Sequence, residues 1–200
     1  MFTPQNIIFL CWGIFLFYWA INWNKVKPTQ ERKWGLSGIR WIIVLLIIIV
    51  VFISKRFDIL PPCHQAWFTC LYNLFVSHIS SLFVEIIGTV FTIIGLVIAV
   101  IARKTLADNW SATIDLKKDH KLITTGIYSY IRHPIYTGIL LMGLGTVLVS
   151  PTLIVALIFL FIFGSFLFRI KNEEALMTKT FPKEYPSYKK RVKALIPFVI

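Results

Sequence analysis

Apolar positions in this chain are gathered into long runs, which basic or polar segments separate. The runs predict five membrane-spanning helices, at about residues 6–23, 38–53, 80–102, 134–149 and 151–168. A helix needs roughly 17–25 residues to cross a bilayer, so the second and fourth runs are short, and one of them is expected to be tilted, shielded or incomplete. Only Ser150 and Pro151 separate the last two runs, which predicts an antiparallel hairpin.

The first run is interpreted as a true span and not as a signal peptide. No basic residue precedes it, and no small-x-small cleavage site follows it. Cys11 lies inside this run and is expected to pack there. Glu85, early in the third run, is an ionisable group in a span and is therefore a functional candidate by default. The pattern as a whole predicts an all-α polytopic membrane protein with a single membrane domain over residues 1–200.

The distribution of basic residues predicts the orientation in the membrane. The segments after the first, third and fifth runs carry five, six and eight of them, which is 19 of the 21 Lys and Arg residues. Only Lys55 and Arg56 lie between the second and third runs. Because basic loops stay in the cytosol, the N-terminus is expected outside and the C-terminus in the cytosol.

The composition agrees with a membrane protein and narrows the choice of partners. Hydrophobic residues make up 57% of the chain, more than a soluble domain of this size carries. The net charge of +12 follows from the positive-inside bias and from attraction to anionic lipid head groups, so nucleic acid is not an expected partner. The sequence has no GxGxxG, P-loop, GxSxG or HExxH motif. Any cofactor is therefore expected to be held by the membrane helices and the polar segments beside them.

The segment expected outside, residues 54–79, holds two cysteines and two histidines. Cys63, Cys70, His64 and His78 match no standard zinc spacing, so no metal is expected. Cys63 and Cys70 could pair in a loop but not if the residues between them were helical, and the sequence leaves both possibilities open.

Two basic segments, residues 103–132 and 169–200, are too rich in aromatic and aliphatic residues to be disordered linkers. The front of the second segment can continue the fifth helix until Pro182 and Pro186 break it. We expect the two segments to fold together as a cap over the cytosolic ends of the third to fifth helices.

Residues 126–138 read GIYSYIRHPIYTG and lie where a basic segment meets the fourth run. Pro134 suits the first turn of a helix, and the free backbone N–H groups after it suit a polar or anionic ligand. Arg132 could instead reach lipid phosphate, His133 could cap the helix, and the tyrosines could belong to the interfacial aromatic belt. The crowding of these groups at one depth favours a site where a water-soluble reagent meets a lipid-soluble one.

Arg169 and Glu173 lie four residues apart, which places them on one face of a helix. The arginine could hold a carboxylate or phosphate, and the glutamate could receive an ammonium group. The alternative is an ordinary solvated ion pair at a helix end, which contributes a few tenths of a kcal/mol.

Three blocks of residues between about 103 and 197 resemble the isoprenylcysteine carboxyl methyltransferase family and its relatives, the membrane phospholipid methyltransferases. The blocks stand in the family's order: Asn109-Trp110-Ser111 with His120-Lys121-Leu122-Ile123; Gly126-x-Tyr128-x-x-x-Arg132-His133-Pro134-x-Tyr136-x-Gly138; and Arg169-x-x-x-Glu173-Glu174, followed by Phe181-x-x-Glu184-Tyr185-x-x-Tyr188, Arg191-Val192 and Ile196-Pro197. The chain departs from the family pattern at Ile127, at Pro182 and at Pro186, and the last two are expected to change the path of the tail.

The resemblance implies S-adenosylmethionine as methyl donor, bound in the cytosolic cap. It implies cofactor contacts from Thr113, His120, Lys121, Leu122, Ile123, Tyr128, His133, Pro134, Ile135, Tyr136 and Glu173. In that scheme Glu173 holds the cofactor's amino group and Arg169 holds the carboxylate of the substrate. Residues 103–200 would form the methyltransferase core, and residues 1–102 would shape an entrance for the lipid.

The function implied is methylation of a lipophilic acceptor that enters from the bilayer, with the carboxylate of a C-terminal prenylcysteine as the leading acceptor. A carboxylate is already ionised and needs no general base, so the protein has chiefly to align the reactants and exclude water. The alternatives are a phospholipid amine or a small thiol as acceptor, an NADPH-dependent membrane sterol reductase, which shares a related Arg-His-Pro block, and a non-catalytic lipid-binding membrane protein.

Overall fold

The computed structural model describes residues 3–22, 81–110 and 121–196. These residues form five α-helices, namely α1 (Pro4–Ile21), α2 (Ser81–Leu106), α3 (Pro134–Val149), α4 (Leu153–Thr180) and α5 (Glu184–Arg191). Short 3-10 helices follow α2 at Ala107–Asn109 and precede α3 at Gly126–Ser129. The strand-like pairing in the described part of the chain is a single bridge between Ile131 and Lys193.

The apolar runs predicted the described long helices well. α1, α2 and α3 begin and end within a few residues of the predicted spans. α4 continues beyond the predicted fifth span, which ended at residue 168, as far as Thr180. Three helices, α1, α2 and α4, are long and apolar enough to cross a membrane, whereas α3 has 16 residues and is short, as its run predicted. The chain is therefore an all-helical integral membrane protein. The predicted span at 38–53 lies outside the described residues, as do Cys63, Cys70, His64 and His78.

Local sequence explains where these helices begin. Thr3 accepts a hydrogen bond from the backbone N–H of Asn6 at 3.4 Å, and Pro4 fills the first helical position. Pro134 begins α3 in the same way, directly after His133. The hairpin predicted between α3 and α4 is present, with Val149 and Leu153 separated by three residues.

Glycines bring α2 and α3 into close contact. Gly88 and Gly95 are two turns apart on α2 and face Gly145 and Gly138 on α3. A Cβ atom added to Gly138 would lie 2.5 Å from the carbonyl oxygen of Gly95, closer than the non-bonded contacts that real Cβ atoms make. Small residues allow this approach of two backbones in a membrane, where dispersion contacts replace the hydrophobic effect between helices. The antiparallel α2–α3 pair is consequently the rigid centre of the described structure.

α1 completes this centre. Cys11 and Phe15 pack with Ala99 of α2 and Met142 of α3 in one buried cluster, so Cys11 is a packing residue as expected. The indole Nε1 of Trp12 donates a hydrogen bond of 3.1 Å to the hydroxyl of Thr146. Glu85 is partly exposed on α2, and the described residues provide no ion-pair partner for its carboxylate.

α4 packs differently along its length. Its buried residues are Phe166, Arg169, Ile170 and Glu174, which all lie from the middle of the helix onward. The exposed side chains before them are large and apolar, such as Leu157, Leu160 and Phe161. These apolar side chains suit lipid contact, while the buried polar residues gather at the end of the helix that meets the start of α3.

Candidate active site

Four helix ends meet on one side of the molecule. Arg103, near the C-terminus of α2, donates a hydrogen bond of 3.0 Å from Nη2 to the carbonyl oxygen of Asn22 at the end of α1. Tyr128, just before α3, donates a long hydrogen bond of 3.4 Å to the carbonyl oxygen of Ala102. The C-terminal part of α4 and the tail that follows it, residues 181–196, lie against the same end. The backbone N–H groups of Arg132 and His133 donate hydrogen bonds to carbonyl oxygens of this tail.

A cavity of about 170 Å³ opens between these ends among the described residues. Its walls come from the end of α2, from the segment before α3 together with the first turn of α3, and from the helices α4 and α5. They consist of Leu106, Asn109, Trp110, Lys121, Leu122, Ile123, Tyr128, Arg132, His133, Ile135, Tyr136, Glu173, Leu176, Met177, Tyr185 and Tyr188. The mixture of aromatic, aliphatic and ionisable groups is typical of a small-molecule site.

Most residues that the sequence singled out as cofactor contacts lie around this cavity. Eight line it, namely Lys121, Leu122, Ile123, Tyr128, His133, Ile135, Tyr136 and Glu173. Pro134 is buried at the start of α3 and does not line the cavity. Thr113 and His120 lie outside the described residues.

Glu173, Tyr136 and Arg169 form a closed hydrogen-bonded triangle. The hydroxyl of Tyr136 donates to Glu173 Oε1 at 2.6 Å, and Arg169 Nε donates to the Tyr136 hydroxyl at 2.6 Å and to the same Oε1 at 2.8 Å. The side chains of Arg169 and Glu173 are 10% and 22% exposed, so the ordinary solvated pair considered from the sequence is not what forms. One oxygen of Glu173, Oε2, stays outside the triangle, 3.6 Å from His133 Nδ1.

Aromatic rings hold Tyr136 in place. Its ring stacks on Phe166 of α4, with 4.5 Å between the ring centroids. It also stacks on His133, with 5.5 Å between the centroids and nearly parallel ring planes. Arg169 Cζ lies 5.9 Å from the centre of the Tyr136 ring. Arg169 does not line the cavity itself. Its side chain bonds to Tyr136 and Glu173, which do, and it sits one turn nearer the middle of α4 than Glu173. The triangle thus lies between the cavity and the apolar middle of α4.

Arg132 contacts protein and not lipid. Its guanidinium donates to Glu174 Oε1 from Nε at 2.9 Å and from Nη2 at 2.6 Å, with both side chains 8% exposed. The predicted alternative of an arginine reaching for lipid phosphate is therefore wrong. The interfacial position suggested for the tyrosines fits Tyr130, which is 66% exposed, but not the buried Tyr128.

Three buried tyrosines join the tail to the cavity wall. Tyr188 of α5 donates a hydrogen bond of 2.6 Å to the backbone carbonyl oxygen of Tyr128. Tyr185 packs edge-on against Tyr188, with 6.0 Å between ring centroids. Burial raises the pKa of Tyr188 to about 12 and raises the pKa values of Tyr128 and Tyr185 still further. These phenols remain protonated donors throughout the physiological range.

Sequence reasoning gave no cofactor role to the corner after α2, although Asn109 and Trp110 stood in the first family block. Both residues line the cavity, and the buried side-chain oxygen of Asn109 has no hydrogen-bond partner among the described residues. Arg103 supports this corner, because its guanidinium donates to the carbonyl oxygen of Ala107 and lies 4.7 Å from the centre of the Trp110 ring. From the sequence, Arg103 could be interpreted only as one of the basic residues that predict the orientation in the membrane.

The arrangement fits a reaction between charged small groups. Among the described residues, no three His, Cys, Asp or Glu side chains are grouped to hold a metal ion. The carboxylate of Glu173, whose Oε2 lies outside the triangle, can accept an ammonium group, and a guanidinium can orient an anion. Aromatic faces around them suit a cationic sulfonium.

Comparisons with known proteins agree with this chemistry. A model of the isoprenylcysteine carboxyl methyltransferase family matches residues 86–179. The protein-S-isoprenylcysteine O-methyltransferase of Saccharomyces cerevisiae is 33% identical, and the match covers 99% of this chain and 81% of the yeast protein. The protein of the same name from Schizosaccharomyces pombe is 39% identical over 41% of this chain and 35% of its own length.

A solved structure shares the fold. It is that of a eukaryotic intramembrane Ras methyltransferase, isoprenylcysteine carboxyl methyltransferase, and it matches with a TM-score of 0.59 at 22% sequence identity. The match covers 98% of this chain and 65% of the solved chain. This chain therefore spans less than two-thirds of the length of that protein.

Proposed function

Because the chain belongs to the isoprenylcysteine carboxyl methyltransferase family, we propose that it transfers a methyl group from S-adenosylmethionine to the carboxylate of a C-terminal prenylcysteine. The family membership makes the chain an integral membrane methyltransferase. The donor and the acceptor are the parts that we propose.

The observation that carries this proposal is the triangle of Glu173, Tyr136 and Arg169. It places a carboxylate on the cavity wall and a buried guanidinium directly behind it. A methyl donor with an ammonium group and an acceptor with a carboxylate would each find a complementary charge there. The two charges are held together in a buried setting, where charge-assisted hydrogen bonds are stronger than in water.

The cavity residues fit an S-adenosylmethionine molecule by the chemistry of its parts. When bound, this cofactor supplies a methyl group activated by a sulfonium. Glu173 would receive the ammonium of the amino-acid part, and the rings of Tyr128 and Tyr136 would face the sulfonium. The remaining contacts would come from the segment before α3 and from its first turn, that is, from Thr113, His120, Lys121, Leu122, Ile123, His133, Pro134 and Ile135.

Arg169 would hold the acceptor carboxylate with the Nη groups that the triangle leaves free. The reaction is an in-line displacement in which a carboxylate oxygen forms a bond to the methyl carbon and the carbon–sulfur bond breaks, leaving a thioether. No proton moves, so the residues of the site act by alignment and by keeping water out. The buried position of Arg169 and the half-buried position of Tyr136 suit both tasks.

The wider arrangement follows from the same proposal. Five spans would place the N-terminus outside and the cavity, the tail and the C-terminus in the cytosol, where the cofactor is dissolved. Residues 1–102 would shape an entrance through which the prenyl chain arrives from the bilayer. The methyltransferase core would be residues 103–200.

Binding of S-adenosylmethionine to the detergent-purified protein, measured by calorimetry, tests the proposed donor. We expect micromolar affinity for the wild type and a loss of roughly tenfold or more in Glu173→Gln, because one charge-assisted hydrogen bond contributes about 1.5–3 kcal/mol. Glu184→Gln is the matched control, since Glu184 is exposed on α5. No binding by a folded wild type would contradict the proposal, and the same titration with NADPH would then test the reductase alternative.

Replacement of Arg169 tests the proposed acceptor. With a prenylcysteine carboxylate as substrate, Arg169→Ala should lower kcat/KM by about 10²-fold, whereas Arg191→Ala, an exposed control on α5, should leave it unchanged. A variant that methylates this acceptor as well as the wild type does would remove Arg169 from the reaction. Methylation of a lipid amine or a thiol in place of the carboxylate would reassign the acceptor.

A further inference from the structure

Glu174 faces away from the cavity that its neighbour Glu173 lines. Adjacent helical residues point about 100° apart, and Glu174 is absent from the cavity wall. Its side chain is nevertheless the most heavily paired carboxylate of the described residues. Oε1 accepts two hydrogen bonds from Arg132 and lies 3.4 Å from His133 Nε2, and Oε2 lies 2.6 Å from Lys189 Nζ.

Arg132 also binds the tail, residues 181–196, and so connects it to Glu174. Its Nη1 donates to the backbone carbonyl oxygens of Lys189, at 3.2 Å, and of Val192. Its own backbone N–H donates to the carbonyl oxygen of Lys193 at 2.9 Å, and the next N–H, that of His133, donates to Ala194 at 2.9 Å. A single arginine therefore links the carboxylate on α4 to the tail through side chain and backbone together.

The tail forms part of the cavity wall. Tyr185 and Tyr188 line the cavity, and the hydroxyl of Tyr188 is bonded to the carbonyl oxygen of Tyr128 on the facing wall. α5 itself has only eight residues, too few for a helix that is stable in water without tertiary contacts. Its position depends on whatever fastens it to α3 and α4, and so does the shape of the cavity.

We propose that Glu174 is a positioning residue, whose carboxylate fastens the tail over the cavity through Arg132 and Lys189 and thereby sets the affinity for the cofactor without touching it. The identity of the cofactor rests on the proposed function, but the fastening does not. Removing the charge of Glu174 leaves the guanidinium of Arg132 buried without its counter-ion, and a buried unpaired charge is strongly unfavourable. Release of the tail would expose this guanidinium to water and so relieve the cost.

Steady-state kinetics separate this role from catalysis. Glu174→Gln should raise KM for S-adenosylmethionine by about tenfold or more and leave kcat within about threefold, because the groups that contact the reactants remain. Glu184→Gln is again the matched control. A fall in kcat at unchanged KM would overturn the proposal, as would an unchanged KM and kcat.

A paired replacement distinguishes the ion pair from a simple loss of packing. Buried ion pairs replaced as a whole are tolerated far better than pairs that lose one member. We therefore expect Arg132→Gln/Glu174→Gln to show a smaller increase in KM than the two single variants would give if their effects simply added. Strict additivity would mean that the two residues act separately and would contradict the fastening.

Hydrogen exchange of the full-length protein, read by mass spectrometry, tests the fastening directly. In Glu174→Gln the amides of residues 184–195 should exchange at least about fivefold faster, while those of the α2–α3 pair stay as protected as in the wild type. Unchanged exchange in the tail, or equal loosening of α2 and α3, would overturn the proposal. S-adenosylhomocysteine should slow exchange in the wild-type tail. If it does not bind at all, the proposed function fails, whereas exchange in the free protein still decides the role of Glu174.

Discussion

At the scale of single residues, the site depends on one phenol that contacts both charged partners. The hydroxyl of Tyr136 accepts a hydrogen bond from Arg169 and donates one to Glu173, each at 2.6 Å. These hydrogen bonds stabilise both charged groups away from solvent. The ring of Tyr136 is in turn held between His133 and Phe166, on which it stacks. Tyr136 thereby fixes the distance between the group proposed for the donor and the group proposed for the acceptor.

Tyr136→Phe should lower kcat/KM for the prenylcysteine acceptor by about 10-fold to 100-fold, because two hydrogen bonds to charged groups are lost while the ring stack remains. Initial rates at varied acceptor concentration measure this effect. Tyr130→Phe is the control, since Tyr130 is exposed. Equal loss in both variants would show that the hydroxyl of Tyr136 has no special part.

The buried phenol of Tyr188 makes stability depend on alkaline pH. Burial raises the pKa of Tyr188 to about 12 in the folded protein, whereas an unfolded tyrosine titrates near pH ~10. A raised pKa in the folded state means stability that is complete below about pH 10 and is lost as the pH rises through about 12. Thermal unfolding in detergent should show the melting temperature falling above about pH 10, and falling less steeply in Tyr188→Phe. A parallel slope in the two proteins would contradict this.

The sequence predicted some of these residue contacts and not others, for a physical reason. Arg169 and Glu173 could be paired because helical periodicity places positions four apart on one face. Their third partner, Tyr136, is 33 residues away from Arg169, and the partner of Glu174, Arg132, is 42 residues away. No local periodicity specifies such pairs, so the direction of Arg132, toward Glu174 and not toward lipid, became visible only in the structure.

At the scale of elements, the α2–α3 pair supports the site. Its glycines allow the two backbones to touch, and the pair then presents the end of α2 and the start of α3 to the same cavity. The apolar runs predicted these helices closely, because their limits are determined by long hydrophobic stretches. The way they pack could not be read from the runs, since Gly88, Gly95, Gly138 and Gly145 carry no periodic hydrophobic signal.

Gly138→Ala should destabilise the protein by about 1–3 kcal/mol or prevent folding, because the added methyl group would overlap the backbone of α2. The fraction of protein that is monodisperse after extraction, together with its melting temperature, measures the loss. Gly164→Ala on α4 is the matched control, since no other described residue would lie within 4 Å of a Cβ at that position. A wild-type melting temperature for Gly138→Ala would contradict the close contact.

At the scale of the whole molecule, charge and hydrophobicity divide the protein into a lipid-facing part and a polar end. Large apolar side chains are exposed along α1, α2 and α4, whereas the ionisable groups of the site collect where four helix ends meet. The excess of basic residues in the segments beside this end predicts that it faces the cytosol. If the cavity faces the cytosol, the proposed water-soluble donor and the proposed lipid acceptor would have separate routes to Glu173 and Arg169.

Cysteine labelling in intact cells tests this orientation. In a background without Cys11, Cys63 and Cys70, Ser187→Cys at an exposed position of α5 should react with a membrane-impermeant maleimide only after the membrane is permeabilised. Thr3→Cys, at the opposite end of α1, should react before permeabilisation. The reverse pattern would place the cavity outside and would contradict the proposed use of a cytosolic cofactor.

The most direct test of the proposed function is methyl transfer in membranes that contain the protein, with labelled S-adenosylmethionine and an N-acetylated S-farnesylcysteine. We expect base-labile label in the farnesylated product, as a methyl ester requires, and little label with Glu173→Gln, while Glu184→Gln should behave as the wild type. No methyl ester from a folded wild type, or undiminished transfer by Glu173→Gln, would contradict the account.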